Sequence, residues 1–115
     1  MKPVKIAFDV DNTLIDQQDK PIFLNIQLLI LLSKCKNVKI TVWSGGGEDY
    51  ARHWVQRLGI DRYVAKVQAK DPLLKPDIAF DDQHEFDMGG VAVIVRQNHL
   101  WKSVLSSHIG QLSLN

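Results

Sequence analysis

Apolar and polar positions along the chain follow two alternating periods. Val4-Lys5-Ile6-Ala7-Phe8 is an apolar run that ends abruptly in Asp9-Val10-Asp11-Asn12-Thr13, as suits a strand buried in an α/β sheet. A polar segment from Asp16 to Lys20 leads to Pro21, a residue favoured in the first turn of a helix, and a helix is expected from Ile22 to Lys34. Only Asn25 and Gln27 break its apolar surface, so it either packs against the sheet beside its neighbours or is partly buried by another subunit. Val38 to Trp43 alternates and is rich in β-branched residues, which predicts a second strand, and it runs into Ser44-Gly45-Gly46-Gly47. The following helix has Glu48 and Asp49 in its first turn and sets Tyr50, Ala51, Trp54, Val55 and Leu58 along one stripe before Gly59 closes it.

A third strand is expected within Ile60 to Val67, centred on Tyr63 to Val67, with Pro72 and Pro76 bracketing the next connection. Ile78-Ala79-Phe80 predicts a fourth strand ending in Asp81-Asp82, and Val91 to Val95 a fifth covered on both faces. A last helix is expected from Leu100 to Ile109, with Trp101, Val104, Leu105, His108 and Ile109 on one face. Strand alternating with helix predicts a three-layer α/β/α, Rossmann-like domain with a mostly parallel sheet.

Composition narrows the setting without naming a partner. At 115 residues the whole of 1–115 reads as one domain. Hydrophobic residues at 45% and charged residues at 23% are ordinary for a soluble globular protein, and a formal charge of +1 provides no field to gather nucleic acid or an anionic membrane. The single cysteine, Cys35, excludes an internal disulfide and fits a reducing compartment. The longest apolar run, Ile22 to Leu32, falls short of the roughly 20 residues that span a bilayer, and no signal-like stretch precedes Asp9. The expected location is therefore cytoplasmic.

Three strand ends carry distinctive chemistry: Asp9 with Asp11, Ser44 with its glycines, and Asp81 with Asp82. In a parallel sheet all three lie on one edge, where ligands gather. Asp-Asn-Thr is also good turn chemistry, but four carboxylates together would repel strongly without a cation. A hard divalent ion, Mg2+ above all, takes oxygen ligands and leaves positions for water or phosphate. A serine followed by glycines at a helix N-terminus suits a phosphate group. Metal and phosphate together point to phosphoryl transfer.

On these residues the chain resembles the haloacid dehalogenase-like phosphohydrolase superfamily over nearly its whole length. Asp9-Val10-Asp11-Asn12-Thr13 is similar to the family's DxDxT motif, Ser44 after Val42-Trp43 to its second motif, and Ile78-Ala79-Phe80-Asp81-Asp82 to its fourth. The resemblance implies that Asp9 is the nucleophile that forms an aspartyl-phosphate and that Asp11 is the general acid and base. It implies that Thr13 supports the loop and that Ser44 and the Gly45 amide hold phosphate. It also implies Mg2+ on Asp9, the Asp11 backbone carbonyl and Asp81, with Asp82 helping directly or through water.

The family's third motif is a lysine, and two candidates compete. Lys75-Pro76 resembles the family's frequent Lys-Pro pair, yet at about 3.3 Å per residue Lys75 lies up to roughly 20 Å before Asp81, towards the wrong end of the strand. Lys70, shortly after the third strand, is the expected catalytic lysine, with Lys66 directed to solvent. His84, with Glu85 and Asp87 nearby, reads as a solvated or substrate-side group. Neither place where the family inserts a cap has room for one, so the site is expected to be open. Capless relatives act on large phosphorylated substrates or borrow a neighbouring subunit to close over a small one, which makes a homo-oligomer worth testing. A phosphate- or phosphoprotein-binding module without turnover, and a response-regulator receiver, are the competing readings. A receiver would separate its acceptor aspartate from an acidic pair near the N-terminus.

Overall fold

The computed structural model describes residues 2–83 and 90–94, the last four as backbone. The helix expected over 100–109, and His84 with its acidic neighbours, lie outside the described residues.

Five parallel strands form one sheet. They are β1 (Val4–Asp9), β2 (Val38–Ser44), β3 (Lys66–Ala69), β4 (Ile78–Asp81) and β5 (Val91–Ile94), in the spatial order β3-β2-β1-β4-β5. Two helices connect the early strands, α1 (Phe23–Ser33) between β1 and β2, and α2 (Glu48–Arg57) between β2 and β3. The chain thus builds outward from β1 to one edge, then returns to lay β4 on the other side of β1. Strand order reverses between β1 and β4, and in open α/β sheets the crevice outside the carboxyl ends at such a point is where ligands bind. Asp9 and Asp81 are the last residues of those two strands.

Side-chain alternation assigns each sheet face. Ile6 and Phe8 of β1, with Ile40 and Val42 of β2, point to one side and pack with Ile26 and Leu29 of α1 and Ala51, Trp54 and Val55 of α2. Phe8 stacks on Phe80 of β4 with ring centroids 4.7 Å apart, tying β4 to the same core. Ala7, Trp43 and Ala79 lie together on the other face. Between β1 and α1 the chain makes a tight flap: Asn12 adopts φ 62°, the Val10 carbonyl accepts the Leu14 and Ile15 amides, and Ile15 bridges to both Asp11 and Pro21. Leu14 and Ile15 are fully buried, so the flap is held down by packing as well as by hydrogen bonds.

Two boundaries differ from those the sequence suggests. Pro21 sits in the flap bridge instead of the first helical turn, because Ile22 already donates its amide back to the Leu14 carbonyl and α1 begins at Phe23. Residues 61–63 close a 3-10 turn in place of a strand start, with the Tyr63 amide donating to Ile60. Pairing with β2 begins only when the Ala65 amide reaches the Ile40 carbonyl. Gly59, at φ 68°, ends α2 as expected of a left-handed C-terminal position.

Helix α1 buries Ile26 and Leu29 while Phe23, Leu24 and Leu31 are about two-thirds exposed. Its apolar surface is therefore not enclosed by the described residues. No helix among them is long and apolar enough to cross a membrane. The asymmetry of α1 has a measurable consequence. Leu29→Ala should cost about 2–5 kcal/mol in denaturant unfolding, whereas Leu31→Ala should stay within about 0.5 kcal/mol of the parent in a monomer.

Candidate active site

Sheet register brings the site together. Phe8 pairs with Phe80, so the next residues, Asp9 and Asp81, end adjacent strands at the same level. Asp9 pairs with Trp43, which puts Ser44 one step further along β2, and Ser44 pairs with Ala69, which puts Lys70 one step beyond β3. The three central strands, β2, β1 and β4, thus deliver their chemistry within a residue of one another along the sheet edge, and the outer strand β3 delivers Lys70 across β2.

The Lys70 side chain crosses the end of β2 to reach the carboxylates. Its Nζ lies 2.9 Å from Asp81 Oδ2 and 3.2 Å from Asp9 Oδ1, with all three side chains almost fully buried. Burial disfavours the charged ammonium, but the hydrogen bond to Asp81 and the field of Asp9 outweigh it and raise its proton affinity. Lys70 is firmly a cation. Lys75 is differently placed: the Asp77 amide donates to the Lys5 carbonyl, level with the start of β1, and Lys75 lines the second sheet face with Ala7, Thr41 and Pro76. Lys66 is exposed at the β3 edge.

Carboxylate oxygens of Asp9, Asp81 and Asp82 all lie within 4.8 Å of one another. Desolvation, then the charge of Asp81, push the Asp9 carboxyl up to about 8, against the opposing pull of Lys70. Burial also raises Asp82, whose carboxyl hydrogen-bonds that of Asp9. Three carboxyl groups against one ammonium leave an excess of negative charge, which a shared proton relieves in the metal-free protein. The donors are all hard oxygens, and their spacing fits a divalent cation of the Mg2+ or Ca2+ kind.

Ser44 ties the adjacent loops. Its hydroxyl accepts the Gly46 amide at 3.0 Å, and its carbonyl accepts the Gly47 amide at 3.2 Å and the Lys70 amide at 3.0 Å. An accepting hydroxyl still has its own proton to donate. Gly47 needs to be glycine at φ 106°, immediately before α2. Gly45 is exposed, and a side chain there would meet nothing within 4 Å, so the surface beside Ser44 is open to an incoming group. Thr13 is fully buried beneath the flap. Its carbonyl accepts Asn25 Nδ2 at 2.8 Å, while its hydroxyl has no hydrogen-bond partner among the described residues.

Asp11 is the one sequence-derived site residue whose carboxylate stands outside the buried cluster. It is exposed on the flap, and its Oδ1 accepts a 2.6 Å hydrogen bond from the Tyr50 hydroxyl. Only its backbone could join the cation suggested by the other three. Sequence periodicity puts Tyr50 on the core stripe of α2, and nothing in that pattern signals that its hydroxyl reaches the flap.

The Asp9 proton makes the metal-free fold sensitive to pH. A carboxyl raised from 3.8 to about 8 on folding binds more protons in the native than in the unfolded state, so stability should fall as pH rises from about 4 to 8. Thermal unfolding in chelator should show this decline in the parent and a much flatter profile in Asp9→Asn. Lys70→Met should cost on the order of 3 kcal/mol at pH 8 and less at pH 5, where Asp9 is already neutral. Compared with family models, with curated proteins and with solved structures, the chain has no match, and the chemistry of these residues is the ground on which its function rests.

Proposed function

We propose that the chain is a Mg2+-dependent phosphomonoester hydrolase of the haloacid dehalogenase-like type, a three-layer α/β/α domain without a cap, acting through an aspartyl-phosphate. The observation that carries this reading is the Lys70 ammonium seated between Asp9 and Asp81 beside the Ser44 loop. A buried lysine among acids, next to an open glycine loop at a helix N-terminus, suits a dianionic phosphoryl group more than any neutral ligand.

In this reading Asp9, Asp81, Asp82 and the Asp11 carbonyl hold Mg2+. When bound, that ion supplies positive charge that keeps Asp9 ionised and offsets charge on the phosphoryl oxygens. An Asp9 carboxylate oxygen attacks phosphorus, the bond to the leaving oxygen breaks with its electron pair, and that oxygen takes the proton of Asp11. Water then attacks the phosphoryl group, its proton returns to Asp11, and phosphate leaves as Asp9 is restored. Lys70 and the Ser44 hydroxyl stabilise the phosphoryl oxygens through both halves. Among the described residues the short flap over 10–22 and the crossover over 70–77 leave the Asp11 side of the site exposed, which suits a phosphorylated macromolecule as readily as a small phosphoester.

Purified protein should release p-nitrophenol from p-nitrophenyl phosphate with Mg2+ and not with chelator. Asp9→Asn should lower kcat by at least about a thousandfold, the order expected for loss of a covalent nucleophile. Turnover by Asp9→Asn at the parent rate would remove the nucleophile assignment. Mg2+-dependent phosphate binding without hydrolysis of any phosphoester in a broad panel would instead make the chain a phosphate- or phosphoprotein-binding module.

A further inference from the structure

We propose that Tyr50 is a positioning residue for the acid/base group: its hydroxyl donates to Asp11 Oδ1 and holds that carboxylate at the mouth of the site, apart from the buried carboxylate cluster. This rests on the phosphohydrolase reading and assigns a role to a side chain that the reading does not otherwise use.

The geometry is specific. Asp11 is exposed and sits on a flap, where an aspartate with no partner would exchange rotamers freely. Asp9, two residues before it, and the Asp81–Asp82 pair carry the same charge, so no attraction to them fixes its carboxylate. A neutral hydroxyl donor can hold the carboxylate without cancelling its charge, whereas a lysine or arginine would compete with the site for the substrate phosphate. The O···O distance of 2.6 Å is that of a charge-assisted bond.

Tyr50 is also braced. It belongs to the first turns of α2, whose Ala51, Trp54 and Val55 are anchored in the core, so the donor stands on a rigid element while its acceptor is on a loop. Gly46 lets the ring cross to the flap: a Cβ there would lie 3.1 and 3.3 Å from two Tyr50 ring carbons. Gly46 is one of three consecutive glycines, and unlike Gly47 it has no positive φ to account for its type. The tyrosine ring gives it a steric reason.

The test uses the dependence of kcat/KM on the leaving group, because kcat/KM reports the step in which the leaving oxygen takes the Asp11 proton. For Tyr50→Phe, kcat/KM should fall about 10- to 100-fold on an alkyl phosphate, a poor leaving group, and less than about threefold on p-nitrophenyl phosphate. Asp11→Asn should show the same selective loss at larger size, and adding Tyr50→Phe to it should change little further. An equal loss on both substrates, no loss, or full additivity with Asp11→Asn would overturn the positioning role while leaving the hydrolase reading intact. A second readout does not need turnover. The side-chain carboxyl 13C resonance of Asp11 should move in Tyr50→Phe, and an unmoved resonance would also overturn the proposal. A moved resonance in a protein that hydrolyses no phosphoester would overturn the hydrolase reading, and the catalytic role of Tyr50 with it.

Discussion

Asp9 and Asp81 end neighbouring strands on the same side of the sheet, with little water around either, and such a pair is unfavourable unless a cation lies between them. The Lys70 ammonium meets that requirement, and much of the local architecture follows from getting it there. β3 has to end at Ala69 so that the next residue leaves the sheet at the level of the acids. The Lys70 amide has to bond the Ser44 carbonyl so that the long side chain starts from a fixed point beyond β2. The crossover back to β4 then departs from the site itself, so the connection that completes the sheet also delivers its cation. One lysine nevertheless balances only part of the negative charge, and a proton held on Asp9 offsets a further part of it.

Much of the fold is legible in the residue pattern because the relevant periods are strong. The runs at 4–8, 38–43 and 78–80 read as buried strands from composition alone, and the stripe of Ala51, Trp54 and Val55 reads as a helix face. The third strand is the exception. Ile60-Asp61-Arg62-Tyr63 has neither period, and the 3-10 turn there depends on hydrogen bonds local to 60–64 together with burial of Ile60. The strand expected to centre on Tyr63 to Val67 runs instead over Lys66–Ala69, so Lys70, expected shortly after it, follows its end directly. Helix α1 misleads in the opposite way. Its composition suggests burial all round, yet among the described residues Ile26 and Leu29 are buried and Leu28, Ile30 and Leu32 only partly so, while Phe23, Leu24 and Leu31 stay exposed.

The site was legible to the extent that its residues end strands. Asp9, Ser44, Asp81 and Asp82 each follow an apolar run, so position along the strand predicts which edge they share. Strand direction also separates Lys70 from Lys75, because the two lie near opposite ends of the sheet even though they are five residues apart. Tyr50 was not legible. Helical periodicity reports which face a residue occupies, and a tyrosine satisfies an apolar stripe with its ring while its hydroxyl serves something else. Only the position of the flap relative to α2, a tertiary fact, reveals the partner. The three glycines before α2 were the nearest sequence signal, and Gly46 is the one that concerns Tyr50.

Stability and chemistry meet in the same charges. Under the proposed phosphohydrolase reading, a site that accepts a dianionic phosphoryl group cannot neutralise its own acids with several lysines and still leave carboxylates for a divalent ion. Leaving them under-neutralised makes the metal-free protein less stable as Asp9 loses its proton, and by linkage the same deficit favours any cation that binds the folded cluster. The strain is kept local because the core beneath the site, from Phe8 and Phe80 to Val42 and Leu14, is wholly apolar and does not depend on protonation. Asp11 stands outside the buried cluster, with its carboxylate held by the neutral Tyr50 hydroxyl. In the proposed mechanism Asp11 is the group that changes protonation, and its place apart from the buried cluster keeps that change away from the charges that hold the site together.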